Sequence, residues 1–187
     1  MLSTLGLEFE VMPADLDELA ITAPTHFERA AKIAGAKARA IAERLQTDGA
    51  NPDTGFVILA ADTYLIDEAV DRALEKPADV SEAREMLEYQ SGKTLTELTG
   101  AAFYHCQDGE LTTETAVTKV AFREFGAEEI ERYVTTQPVT TWSGAFCPAY
   151  PEGAALIQSI EGSLTGFTHG FPIEFFCPLL RKAGFPV

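Results

Sequence analysis

Asp62 ends an almost wholly apolar run at residues 56–61, and Thr63 follows it. A carboxylate placed there can hold a divalent cation or accept a proton from an attacking water. Further along, Lys76 precedes Pro77. An ammonium is a compact charge suited to phosphate oxygens, and the proline fixes the chain direction after it. Upstream, Asp17-Glu18 would add a second carboxylate to a cation site. Each of these has a plainer reading when taken alone: an Asp after a strand as a turn residue, Lys76 as a solvated surface lysine, and the acidic pair as a solvated loop.

The elements that must position these residues follow from periodicity. Residues 7–12 alternate apolar and acidic, which predicts a strand with one wet face, closed by Pro13. Over residues 25–45, Phe27, Ala30, Ala34, Ala38, Ile41 and Leu45 recur at helical spacing. Lys37 lies four residues from both Ile33 and Ile41, so it faces the packed flank, unlike Lys32 and Arg39. Residues 51–55 form a turn cluster. The apolar run at 56–61 predicts a strand buried on both faces of a parallel sheet. Ligands of open α/β sheets bind beyond the carboxyl ends of the strands, which is where this reading puts Asp62.

Downstream, residues 81–90 predict a helix capped by Ser81 and stopped at Ser91-Gly92. Residues 94–106 and 112–122 are β-rich and joined across Gln107-Asp108-Gly109, which predicts a hairpin or neighbouring strands. A short helix is expected at 127–134 and a strand at 154–160. Pro172 opens a last helix at 173–183, in which Pro178 predicts a kink or break, with Gly184 just past its end. Glycines and hydroxyls between Glu161 and Ile173 offer amides that could cradle a ligand, or simply a tight loop before that helix. The order of elements implies an α/β fold with an antiparallel appendage and two lobes around a cleft.

At 187 residues the chain suits a single globular unit. Its formal net charge of −15 argues against a nucleic-acid partner, whose phosphates need a basic face. Cys106, Cys147 and Cys177 are odd in number and lack zinc or redox spacing, so reduced thiols in a cytoplasmic protein are expected. No run is long enough for a membrane span, and no signal peptide is expected. Phosphate-binding glycine loops, a nucleophile elbow and a zinc-spaced His/Cys set are all absent from the sequence. His26, His105 and His169 are scattered and read as structural.

Taken in order, the spaced pieces resemble the Maf family, the septum-formation-inhibitor-like nucleoside triphosphate pyrophosphatases. The pieces are Leu5-Gly-Leu-Glu-Phe-Glu10, Asp17-Glu18, Lys37-Ala38, Ala60-Ala-Asp-Thr63, Lys76-Pro77, Glu82-Ala83, Met86-Leu87, Ser91-Gly92 and Thr99-Gly100. They continue with Glu129-Ile130, Tyr133-Val134, Ser143-Gly-Ala-Phe146, Ile160-Glu-Gly-Ser163 and Gly170-Phe-Pro-Ile173. The resemblance implies a mixed twisted sheet with flanking helices, two lobes around a cleft, and kinship to the inosine triphosphatases. It implies hydrolysis of a nucleoside triphosphate to monophosphate and pyrophosphate, in the removal of surplus or non-canonical nucleotides.

Asp62 is then expected as metal ligand or general base and Glu18 as a further carboxylate at the metal, Mg2+ or Mn2+. Lys37 and Lys76 are expected to steady the phosphates. Thr63, expected to touch substrate, resembles members acting on dTTP, UTP and modified pyrimidine nucleotides, where the methylated-GTP branch usually has Gln. A homodimer is expected, since members are often dimers.

The chain also departs from the family pattern. The first strand and the Ser-x-Ser-Pro-Arg-Arg loop after it are missing. Leu95 replaces the usual His, and Phe146-Cys-Pro-Ala-Tyr150 lacks the usual Gln. A truncated or divergent member is therefore expected, the N-terminal gap being explained equally by a start site assigned too far downstream and by a real truncation. A nucleotide- or protein-binding module without catalysis stands as the alternative function.

Overall fold

Thr25 starts the first helix by accepting a hydrogen bond from the Glu28 amide at 3.1 Å, while its hydroxyl donates to the Glu28 carboxylate at 3.0 Å. The cap satisfies one of the amides that the first turn leaves unpaired, and the carboxylate bond holds the hydroxyl in place. The helix is α1 (His26–Thr47), and it buries Ala30, Ile33, Ala34, Ala38, Ile41 and Ala42 along one stripe. The structure, a computed structural model, describes residues 1–51 and 55–187. Residues 52–54 of the expected turn at 51–55 lie outside the described residues.

The strands are β1 (Val57–Asp67), β2 (Arg72–Leu74), β3 (Thr94–His105), β4 (Leu111–Phe122) and β5 (Ile157–Gly162). They form one five-stranded sheet in the order β2-β1-β3-β4-β5. The remaining helices are α2 (Val80–Gln90), α3 (Ala127–Thr136), α4 (Pro151–Ala154), α5 (Leu164–His169) and α6 (Ile173–Lys182). The α/β class and the flanking helices are as expected. The sheet is antiparallel: β1 pairs with β2 from Leu65↔Leu74 to Asp67↔Arg72, and β4 with β5 from Thr118↔Gly162. The parallel setting expected for residues 56–61 is not found. A continuous apolar run reports burial on both faces, and burial does not fix strand direction.

Two further expectations are corrected. Residues 7–12 are not a strand: they carry no regular structure, and Phe9 and Val11 are 52% and 80% exposed. Alternation stabilises a strand only where a neighbour completes the ladder and a face is buried. The cap of α2 is Asp79, whose carboxylate accepts from the amides of Ser81 and Glu82 at 2.8 and 2.9 Å. Near the C-terminus, α6 runs unbroken through Pro178, with Gly184 in the left-handed region past its end.

The chain divides into two compact units. The first comprises Met1–Asp62, Gly100–Thr115 and Pro172–Val187. Its core sets Ala34, Ala38, Ile41 and Ala42 of α1 with Ile58 of β1 and Ala102 of β3. A Cβ on Gly100 would fall 1.9 Å from the Ala30 carbonyl oxygen, so only glycine lets β3 come this close to α1. The second unit comprises Thr63–Thr99 and Ala116–Phe171. Its core gathers Leu65, Leu87, Leu95, Val120, Phe122 and Phe146, with the Phe122 and Phe146 rings edge-to-face at 5.1 Å. Leu95, a departure from the family pattern, is therefore a core residue. No described helix is long and apolar enough to cross a membrane.

Candidate functional site

Helical periodicity turns Lys37 toward the packed side of α1, where 18% of its side chain stays exposed. Its ammonium lies 2.7 Å from Asp62 Oδ1 and 2.8 Å from Glu18 Oε1. Three distant parts of the first unit thus meet at one nitrogen. Asp62 comes from β1, which continues past it to Asp67, so it sits inside a strand and not at the strand end expected. The apolar run stops at Asp62 because the side chain points at Lys37, while the backbone ladder goes on.

Glu18 opens a 3-10 turn capped by Asp17, which accepts from the Ala20 amide at 3.3 Å. Two donors on α1 fasten this segment. Arg29 donates to the carbonyls of Ile21 and Glu18 at 2.9 and 3.1 Å, and Lys32 donates to the Thr22 carbonyl at 2.6 Å. Sequence reasoning missed Arg29 as a positioning residue. Its only signal was a cation in the second turn of a helix downstream of an irregular acidic segment.

The electrostatics follow from crowding two acids onto one base away from bulk water. Burial pushes the Asp62 carboxyl up and the Glu18 charge adds to this; the bond and charge of Lys37 oppose it, and the net position is above the usual carboxylate value. Burial works to lower the Lys37 ammonium, but the bonds and charges of Asp62 and Glu18 outweigh it, and the net position is raised. The ammonium therefore stays charged, and Asp62 is more basic than a solvated carboxylate.

Thr63, next to Asp62, belongs to the second unit, where its Oγ1 lies 3.1 Å from Thr99 Oγ1. A Cβ on Gly170 would come within 3.0 Å of the same oxygen. Lys76 also belongs to the second unit, in the segment between β2 and α2; it is exposed and makes no ion pair among the described residues. Glu18, Lys37 and Asp62 are thus brought into direct contact, and Thr63 adjoins them through the β1 backbone.

The donor set suits one kind of metal partnership. Among the described residues no three His, Cys, Asp or Glu side chains cluster as a cation cage. Asp62 and Glu18 supply two hard oxygens converging on a cationic atom, and Mg2+ is commonly held by one or two carboxylates together with substrate phosphates and waters. The residues present fit such a shared cation.

The family model described as Maf-like protein matches residues 1–183. A dTTP/UTP pyrophosphatase of Anaeromyxobacter dehalogenans (strain 2CP-C) is 33% identical over 189 aligned positions, covering 100% of this chain and 89% of that protein. A dTTP/UTP pyrophosphatase of Pelotomaculum thermopropionicum is 32% identical, covering 100% of this chain and 92% of that protein. A 7-methyl-GTP pyrophosphatase of Alkalilimnicola ehrlichii is 30% identical, covering 100% of this chain and 88% of that protein.

Proposed function

Because the chain belongs to the Maf-like protein family, we propose that it is a nucleoside triphosphate pyrophosphatase acting on pyrimidine nucleotides such as dTTP and UTP. The observation that carries this reading is the meeting of Glu18, Lys37 and Asp62 at one point. Thr63 beside Asp62 supports the pyrimidine preference, as does the naming of the dTTP/UTP relatives.

In this reading a water attacks the α-phosphorus. Its proton goes to the Asp62 carboxylate, the new oxygen–phosphorus bond forms, and the bond from the α-phosphorus to the bridging oxygen breaks. Pyrophosphate leaves with the bond's electron pair, and a nucleoside monophosphate remains. The raised basicity of Asp62 brings its proton affinity closer to that needed for a general base near neutral pH. Lys37 holds the Asp62 carboxylate in one orientation and offsets the charge that builds on the phosphates. Lys76, exposed and without an ion pair among the described residues, keeps its ammonium available for phosphate oxygens. Asp62 and Glu18 would hold a divalent cation, Mg2+ or Mn2+, which neutralises phosphate charge when bound.

Pyrophosphate release from dTTP, UTP, ATP, GTP and 7-methyl-GTP in the presence of Mg2+ tests the reading. Turnover is expected, fastest with the pyrimidine nucleotides, and Asp62→Asn should lower kcat by about 10²-fold or more. Absence of turnover with every nucleotide, or an Asp62→Asn enzyme as active as the parent, overturns it. Nucleotide-dependent thermal stabilisation without hydrolysis would favour a binding module instead.

A further inference from the structure

Glu97 lies in β3 with 5% of its surface exposed, between Leu95 and Leu98, each 2% exposed. Alternate residues of a strand share a face, so Leu95, Glu97 and Thr99 point the same way. Thr99 Oγ1 meets Thr63 Oγ1 at 3.1 Å and donates to the Gly166 carbonyl at 3.3 Å. Glu97 lies two residues before it on the same face of β3, and the Thr99 hydroxyl works against the upward shift of the Glu97 carboxyl. A row of three polar side chains, Thr63, Thr99 and Glu97, thus runs through the second unit, beginning one residue from Asp62.

At the far end of the row, Glu97 Oε1 has no hydrogen-bond partner among the described residues. A buried carboxyl oxygen left unpaired is costly, and such an atom in a folded protein calls for a partner. Burial holds the carboxyl well above its usual value of 4.5, against the opposing Thr99 bond. The Glu97 charge also acts on the Cys147 thiol, which is pushed up mainly by burial. Burial thus favours the protonated carboxyl, which sets a donor and an acceptor side by side.

We infer that Glu97 is a specificity-determining residue that reads the nucleotide base, pairing with a ring N–H and the adjacent carbonyl such as uracil and thymine present. The inference rests on the pyrophosphatase reading and adds the group that recognises the base. A carboxylic acid matches that edge with two hydrogen bonds, and glutamine reproduces the same donor–acceptor pair without a titratable proton. Leucine offers neither.

The full chain with Mg2+ is assayed as parent, Glu97→Gln and Glu97→Leu, against UTP, N3-methyl-UTP and inorganic tripolyphosphate, the last as an inhibitor lacking a base. Glu97→Leu should lower kcat/KM for UTP by about 10- to 100-fold, mainly through KM, and Glu97→Gln should stay within about threefold of the parent. Inhibition by tripolyphosphate should be the same in all three proteins, which a merely structural role would not give. N3-methyl-UTP, whose ring N–H is blocked, should be a poorer substrate than UTP for the parent by a similar factor.

Equal loss toward UTP and tripolyphosphate in Glu97→Leu, or N3-methyl-UTP turned over as well as UTP, overturns the inference. The methylated nucleotide keeps the test open if Glu97→Leu does not fold. If the parent hydrolyses nothing, the pyrophosphatase reading fails. Base reading is then scored by thermal stabilisation with UTP against N3-methyl-UTP, and equal stabilisation overturns it.

Discussion

Lys37 is shared by two carboxylates, and its removal acts on each in a predictable direction. In Lys37→Met the packed stem is kept and the charge is lost. Asp62 then keeps its burial and the like charge of Glu18, both of which push it up, and loses the bond and charge that pushed it down. Its pKa should rise further. Activity that needs ionised Asp62 is lost as pH falls through that pKa, so the acid limb of the kcat/KM profile should move to higher pH, by about one unit or more. A lower rate with an unmoved acid limb would mean that Lys37 does not govern Asp62. At this scale the sequence was informative where spacing carries direction. Helical period placed Lys37, and the break in the apolar run marked Asp62. Arg29 and Glu97 were not legible, because their roles depend on partners remote in sequence: the Glu18 carbonyl for one, the burial of both faces of β3 for the other.

Among the elements, the approach of β3 to α1 positions the site, since Lys37 follows Ala30 by two helical turns. The contact rests on Gly100, where any Cβ would overlap the Ala30 carbonyl carbon at 2.2 Å and its oxygen closer still. Backbone cannot rotate away as a side chain can. Gly100→Ala should therefore displace α1 or unfold the first unit, with a stability loss of about 3 kcal/mol or more and reduced activity in whatever folds. Urea unfolding would reveal it; a curve matching the parent would show that α1 yields without cost. Thr25→Ala, which removes only the α1 cap, should cost about 1 kcal/mol in the same measurement. Elements built from local signals were readable: α1 from its apolar stripe, and the β3–β4 hairpin from two β-rich runs around Asp108-Gly109. The full length of β1 was not, because residues 62–63 turn polar where the strand passes from one compact unit to the other. Strand direction was not readable either, since a doubly buried strand reads alike in parallel and antiparallel sheets.

For the molecule as a whole, pH sets stability through the acids that folding has moved, and they move in opposite directions. Asp67 is held low mainly by the Tyr89 hydroxyl, and Glu129 by Arg123, so their contributions are present at neutral pH and lost as pH falls. Glu97 works the other way. Its folded pKa lies well above 4.5, chiefly through burial, so its contribution is complete in acid below about 4.5 and is lost as pH rises toward the folded value. Glu97→Gln has no proton to lose. The stability of Glu97→Gln relative to the parent should therefore grow as pH rises above about 4.5 toward the folded value, with a slope no steeper than about 1.4 kcal/mol per pH unit. Urea unfolding of both proteins at several pH values measures this. Two curves that stay parallel would mean that Glu97 ionises in the folded protein as readily as in water, and its carboxyl would then present the base with two acceptors and no donor. The stability curve and the nucleotide assay thus interrogate one proton by independent routes, and a neutral Glu97 has to appear in both.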